Sequence, residues 1–417
     1  MKEEEVVFSI KSSKLAIYVT PFLLGICVTP VANASVTLTG ENPPPNPIVD
    51  VIPLTSASHT IMDLGPNSFA YSINNSGHAA GYIFVPDISG RATLWNGGIS
   101  ADLGTLSGTY TLATSINNVG QVAGSSSPDP STLRAATWNN GTPVVLGTLG
   151  GTYSHATSIN DAGQVVGESS LANNTADSHA TLWSGGTITD LGTLGGQYSM
   201  ANSINSSGQV AGWSSTVNGT LRPVLWNDGA IIDLGTLGGD SGYAYGINDL
   251  GQIVGRSHLP NYMSHATLWH DGIAIDLGTL SGGTYSQANG INNAGDVVGE
   301  STLTAYGVTH ATLWSGGAII DLNSFLDPAA ITAGWTLNTA YAINSSGWIV
   351  GDATNNLGEH HAFQLLVTSV PEPLSYTMML SGLGLLVFIS RRRGIMKSQH
   401  CQNPRRQRLA LSGLFHG

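Results

Sequence analysis

Arginine and histidine alternate at one recurring position in this chain: Arg91, Arg134, His179, Arg222, His265, His310 and His361. A second series carries an acid, at Asp63, Asp102, Asp190, Asp233, Asp276 and Asp321, with Val145 where the acid is missing. Histidines and aspartates in series could hold metal ions. Arginine, however, replaces the histidine three times, and a guanidinium has no lone pair to give a metal. What the position requires is a hydrogen-bond donor, aimed at a loop carbonyl or at the aspartate. Each aspartate stands before a glycine-rich turn, so the expected work of its carboxylate is to accept backbone N–H bonds there. No metal site is expected.

A third position changes in every repeat: Tyr82, Ser125, Glu168, Trp213, Arg256, Glu300 and Asp352. The loop behind it varies too, with nine residues before the Arg/His position in five repeats, eleven in the third and ten in the sixth. Constant positions serve a scaffold, whereas variable ones are free to carry function or to drift. Tyr82 and Trp213, with Tyr262 and Tyr306 in the loops, offer faces that stack on sugar rings. Glu168, Glu300 and Asp352 offer acceptors, and Arg256 offers donors. These eight residues form the candidate binding surface, on the face that carries the loops from second to third strand.

No catalytic residue is assigned. Gly239-Asp240-Ser241-Gly242 copies the wording around a serine-protease nucleophile, but it occupies the place of Gly150-Gly151-Thr152-Tyr153 and is a repeat variant. The Gly-Thr-Leu-Gly-Gly loops lack a following Gly-Lys-Ser/Thr, so they do not cradle phosphate. No Asp-x-Asp-x-Asp-Gly calcium loop is present. A carboxylate pair for glycoside hydrolysis stays open, with Glu168 and Glu300 as its candidates, because that chemistry depends on a separation in space. No cofactor is expected.

The elements that position these residues are repeats. Ile-Asn recurs at Ile73, Ile116, Ile159, Ile204, Ile247, Ile291 and Ile343, in steps of 43, 43, 45, 43, 44 and 52. A Gly-x-x-x-Gly pair opens four residues after each, and a tryptophan follows at Trp95, Trp138, Trp183, Trp226, Trp269 and Trp314. Within residues 156–192 the pattern reads as four strands: 156–159, 164–169, 179–183 and 187–191. Asn and Gly supply the turns. Four short antiparallel strands per repeat are the mark of a propeller blade. The chain enters with a strand at 60–64 that has no sheet before it and leaves with one at 361–365 that has no partner behind it. Pairing them removes an open edge. The expected fold is all-β, a seven-bladed β-propeller of four-stranded blades over 58–368, closed by the N-terminal strand.

Charge narrows the partners. Residues 35–370 hold 22 acidic residues against four arginines and no lysine, a net of −18, while residues 371–417 carry a net of +6. An acidic, lysine-free body repels phosphate backbones, so nucleic acid is not an expected partner. Only two cysteines occur, Cys27 and Cys401, both outside the repeats. Neither a disulfide framework nor a thiolate metal site is available there.

The two ends read as addresses. Leu15–Val31 is apolar, follows Lys11 and Lys14, and ends in Val31-Ala32-Asn33-Ala34. Residues 1–34 therefore read as a signal peptide cut after Ala34, the alternative being an uncleaved anchor. Residues 35–57 are a proline-rich linker. Leu374–Ser390 contains no charge over 17 residues, which suffices for a transmembrane helix of roughly 25 Å. Arg391, Arg392 and Arg393 follow, so the body is expected to face outward. The order Pro371-Glu372-Pro373, apolar helix, arginine cluster resembles the PEP-CTERM sorting signal over 370–393. That resemblance implies processing by an exosortase in a Gram-negative bacterium that makes exopolysaccharide. The family's signal ends soon after the arginines, whereas this chain continues as a basic tail over 394–417, which departs from the pattern.

The repeat wording Asp-Leu-Gly-Thr-Leu-Gly-Gly, Ile-Asn-x-x-Gly-x-Val-x-Gly and His-Ala-x-x-Trp resembles the HAF family of extracellular repeats, with a literal His361-Ala362-Phe363. It implies an exported repeat protein and no particular activity. The combined expectation is an exosortase-sorted protein of the cell surface or extracellular matrix, held by the membrane through its C-terminal helix before processing. Its expected work is non-catalytic binding or scaffolding, with exopolysaccharide or an envelope protein as partner. The alternatives are a carbohydrate-active hydrolase or lyase on the same ring, and a structural spacer.

Overall fold

The computed structural model describes residues 59–367, apart from 87–88, 107–109, 130–131, 140, 173 and 306, together with the backbone of Glu5–Ile10 and Ser13–Tyr18. The chain divides into two units, Met1–Ile48 and Val49–Gly417. In the first, Glu5–Ile10 and Ser13–Tyr18 pair antiparallel. The rest of the leader, the linker, the apolar segment 374–390 and the basic tail lie outside the described residues. Among the described residues, no helix is long and apolar enough to cross a membrane.

Each of the first six repeats folds as four antiparallel strands in chain order. The third shows the plan: Gly150–Ile159, Val165–Leu171, Asn174–Ser184 and Thr187–Asp190. Its second strand is buried on both faces, while its fourth is largely exposed. The Val, Gly and Ser of the one and the Thr and Asp of the other follow from that difference. One parallel pair, Ser178 with Tyr198, joins the third and fourth repeats into an eight-stranded sheet, and the other repeats make separate four-stranded sheets.

The first strand of the third repeat begins six residues before the expected Ala156, because Gly150 pairs with Leu171 across a register shift. The glycine-rich turn thus bulges within the strand instead of ending it. Both glycines of the repeated pair have a physical cause. Gly163 closes its turn at φ +75, a conformation that costs other residues free energy. Gly167 sits beside a second bulge, and a Cβ there would overlap the His155 carbonyl oxygen.

The core lies between sheets. Trp183 packs back onto Ala123 and Ala135 of the second repeat. Trp226 does the same one repeat on, against Val166 and Ala180. In His-Ala-x-x-Trp the alanine and tryptophan are three apart and so face opposite sides of their strand. One makes the shallow floor for the next sheet, and the other fills the floor of the sheet before.

The last repeat lacks a fourth strand of its own. His59–Pro66 supplies it, pairing with His360–Val367 so that Ile61 lies opposite Leu365 and Asp63 opposite Phe363. The strand at 60–64 therefore pairs with the strand at 361–365, as expected. A second feature closes a cycle. In every repeat the buried asparagine of Ile-Asn donates its Nδ2 to the matching carbonyl of the next repeat: Asn74 to Asn117 (3.2 Å), Asn117 to Asn160 (2.9 Å) and Asn160 to Asn205 (3.0 Å). Asn205, Asn248 and Asn292 continue it, and Asn344 returns to the Asn74 carbonyl at 2.8 Å. The step of 52 holds an insertion before the last repeat, with a 3-10 turn at Leu322–Phe325 and a five-residue helix at Pro328–Thr332 capped by Asp327.

Candidate functional site

The first strands of all seven repeats line an axial cavity of about 180 Å³. The Ile-Asn turns that follow them line a second, of about 200 Å³. Moving along the first strands away from the asparagines leads to the variable series. Register places each variable residue opposite a first-strand neighbour: Tyr82 with Phe69, Glu168 with His155, Trp213 with Met200, Arg256 with Tyr243, Glu300 with Gln287 and Asp352 with Thr339. These six lie on second strands. They stand at the seams between neighbouring repeats, around the end of the cavity away from the asparagines.

Tyrosines bind this cluster together. Tyr153 donates to Glu168 Oε1 at 3.0 Å, and Ser178 to its Oε2 at 2.8 Å. Tyr285 donates to Glu300 Oε1 at 3.0 Å, and Thr339 to its Oε2 at 2.7 Å. Asn338 donates to Asp352 at 3.2 Å. Tyr82 stacks on Phe69 at 5.1 Å, Tyr71 meets Tyr341 edge-on at 5.1 Å, and Trp213 meets Tyr243 edge-on at 6.0 Å. Arg256 lies 4.8 Å from the centre of the Tyr243 ring.

The hydroxyls here are held protonated. Burial, then the Glu300 charge, pushes Tyr285 up to about 12. Burial pushes Tyr245 up to about 12 as well, against the pull of Arg256. Tyr153 and Tyr341 rise further, from burial first and then from Glu168 and Asp352 respectively. Burial also raises the Asp352 carboxyl above the usual range, against the hydrogen bonds of Tyr341 and Asn338. His155 is pushed down to about 4 by desolvation, and its Nδ1 lies 2.6 Å from the Ser125 hydroxyl. The arrangement presents neutral donors and aromatic faces beside carboxylate acceptors.

Tyr262 stands elsewhere, in the hairpin after the second strand of the fifth repeat, 81% exposed and at φ +64. Tyr306 lies outside the described residues. The sequence reading put the variable series on the face that carries the loops from second to third strand, with Glu168 inside its second strand. It missed the tyrosines of the first strands. Their signal was the residue two before each Ile-Asn isoleucine, which runs Tyr71, Thr114, Thr157, Asn202, Tyr245, Asn289 and Tyr341.

The Arg/His and Asp series meet on the third and fourth strands. Arg91 pairs with Asp102 at 3.1 Å, His179 with Asp190 at 2.9 Å, Arg222 with Asp233 at 3.0 Å, His265 with Asp276 at 2.9 Å and His310 with Asp321 at 2.8 Å. His361 reaches Asp63 at 2.9 Å across the closing seam. The same aspartates cap their turns, Asp190 accepting from the Gly192 N–H at 2.8 Å. Where Val145 replaces the acid, Arg134 donates to the carbonyls of Leu133 and Thr152 instead. Among the described residues no group of three or more His, Cys, Asp or Glu could hold a metal ion.

The Gly-Asp-Ser-Gly segment brings Ser241, Asp240 and His258 together, yet not as a catalytic triad. His258 Nδ1 approaches both Asp240 (3.1 Å) and the Ser241 hydroxyl (3.3 Å), and that hydroxyl also donates to Asp240 at 3.0 Å. A triad needs the two ring nitrogens to serve different partners.

Beyond the repeats, residues 369–393 match the PEP-CTERM protein-sorting motif. The chain carries an exosortase sorting signal. It is thereby an exported protein of a Gram-negative bacterium, sorted to the cell envelope or the extracellular space. No curated protein matches the chain. Among solved structures, TolB from Acinetobacter baumannii is similar at 12% identity and a TM-score of 0.37, over 52% of this chain and 52% of that one. A mutant of AofleA from Arthrobotrys oligospora is similar at 16% identity and 0.36, over 63% of this chain and 89% of that one. This chain thus spans about half the length of TolB.

Proposed function

We propose that the repeats form a seven-bladed β-propeller of the HAF type, and that it works outside the cell as a non-catalytic binding module for exopolysaccharide. The single observation that carries this reading is the mouth at one end of the axial cavity. There Trp213, Tyr82 and the first-strand tyrosines bring aromatic faces beside Glu168, Glu300 and Asp352. Sugars are bound by that mixture: rings against C–H faces, and acceptors and neutral donors against hydroxyls. The asparagine cycle and the strand His59–Pro66 support the propeller. The sorting signal supports the location, since a protein delivered to the envelope meets extracellular polysaccharide there.

The non-catalytic part rests on the carboxylates. Glu168 and Glu300 each have both oxygens engaged by hydroxyl donors within the protein, which favours a fixed acceptor over a free nucleophile. An array of glycans, including polysaccharide extracted from the producing cells, tests the reading. Binding is expected for the full chain and weaker by about tenfold for Trp213→Ala. Binding to no glycan at all would remove it. Polysaccharide turnover that disappears in Glu168→Gln or Glu300→Gln would make the protein a carbohydrate-active enzyme instead.

A further inference from the structure

Arg256 stands apart from the other arginines of the body. Arg91 and Arg222 pair with aspartates, and Arg134 donates to two carbonyls. None of the ion pairs among the described residues includes Arg256. Its guanidinium lies over Tyr243 at 4.8 Å, Nη1 donates to the Tyr285 hydroxyl at 3.4 Å, and Nε is buried without a hydrogen-bond partner. Through the Tyr285 hydroxyl, Arg256 is linked to one acid, Glu300. The Tyr285 hydroxyl stands between the two, and Thr339 takes the other Glu300 oxygen. A partly buried cation with no counter-charge is unfavourable unless something else completes it.

We infer that Arg256, framed by Tyr243 and Tyr285, anchors a single carboxylate on a sugar, as in a hexuronate unit of an otherwise neutral glycan. This deepens the reading of the mouth as a glycan surface and rests on it. A guanidinium presents parallel N–H donors that match the two oxygens of a carboxylate. The tyrosine rings beside it give the sugar's C–H face an apolar wall. One isolated carboxylate fits better than a dense polyanion for a reason of range. The body holds 22 acidic residues against four arginines, so a highly charged chain is repelled on approach. A lone anion within hydrogen-bond reach of Arg256 feels chiefly that cation, because screening weakens the distant charges.

Calorimetric titration of the full chain tests the inference, using one oligosaccharide ending in glucuronate and the same oligosaccharide ending in glucose. The glucuronate form is expected to bind at least about tenfold more tightly. Arg256→Gln is expected to erase that preference and bring the two affinities together. Arg256→Lys keeps the charge and is expected to retain part of the preference, which guards against a variant that fails to fold. Equal affinity for the two forms, or a preference that survives in Arg256→Gln, overturns the anchor and leaves the glycan reading standing. Absence of binding to either form overturns both.

Discussion

A histidine in the mouth makes the acid behaviour of this protein legible at the level of one side chain. His155 Nδ1 lies 2.6 Å from the Ser125 hydroxyl, and burial favours the uncharged ring. Desolvation lowers its folded pKa to about 4, against an ordinary 6.5. As pH falls, the unfolded chain therefore takes up this proton first. The contribution of His155 is fully present above about pH 6.5 and is lost as pH falls toward about 4. The loss is at most about 3 kcal/mol, and less in so far as the ring reaches the channel. Urea unfolding at pH 7 and pH 4.5 is expected to show the wild type losing more stability between the two than His155→Gln. Equal losses would show that another group controls the slope. The same scale explains the repeated wording. Glycine recurs where a Cβ has no room, as at Gly167, and asparagine recurs where one amide must bond its own turn and the next repeat at once, as at Asn160.

Strands inherit their roles from these residues. A second strand accepts different side chains just after its glycine, because the first-strand neighbour that the position meets changes from repeat to repeat. Tyr82, Glu168, Trp213, Arg256, Glu300 and Asp352 differ for that reason, and their chemistry is read against the first strand they oppose. The strand His59–Pro66 is the element on which the last sheet most depends. Without His59–Pro66, the strand His360–Val367 would keep Trp348–Thr354 on one edge but lose its partner on the other, His361 would lose Asp63, and an unpaired edge would face solvent. Deleting residues 59–66 is expected to give self-associating or misfolded protein by light scattering after gel filtration. A monomer that melts at the wild-type temperature would mean that the seam contributes nothing.

For the whole molecule, the sorting signal at 369–393 directs where the chain goes. Replacing Pro371, Glu372 and Pro373 with alanine is expected to leave unprocessed chain in the cell, with less released or envelope-associated protein on fractionation. An exosortase-deficient strain is expected to give the same pattern. Unchanged distribution in both would show that the match at 369–393 does not direct this chain. The charge division belongs to this scale too. An acidic body with a net of −18 over residues 35–370 and a basic stretch with a net of +6 over 371–417 divide the chain at the sorting signal.

Periodicity alone determined a great deal here. Seven Ile-Asn units, strands of four to six residues between glycine turns, and an orphan strand at each end pointed to an all-β repeat body and to the pairing of 60–64 with 361–365. Local rules suffice because each repeat solves the same steric problem in the same place. The aspartate caps and their Arg/His partners were legible for the same reason, since two series that recur in step can meet in every repeat. Only the tertiary structure decided which neighbours the variable residues meet, and that tyrosines at or beside the first strands complete them. It alone separated Arg256 from Glu300 by a hydroxyl. Such contacts join residues of different repeats, tens of positions apart, and their geometry is set by how sheets pack face to face, which no local pattern encodes.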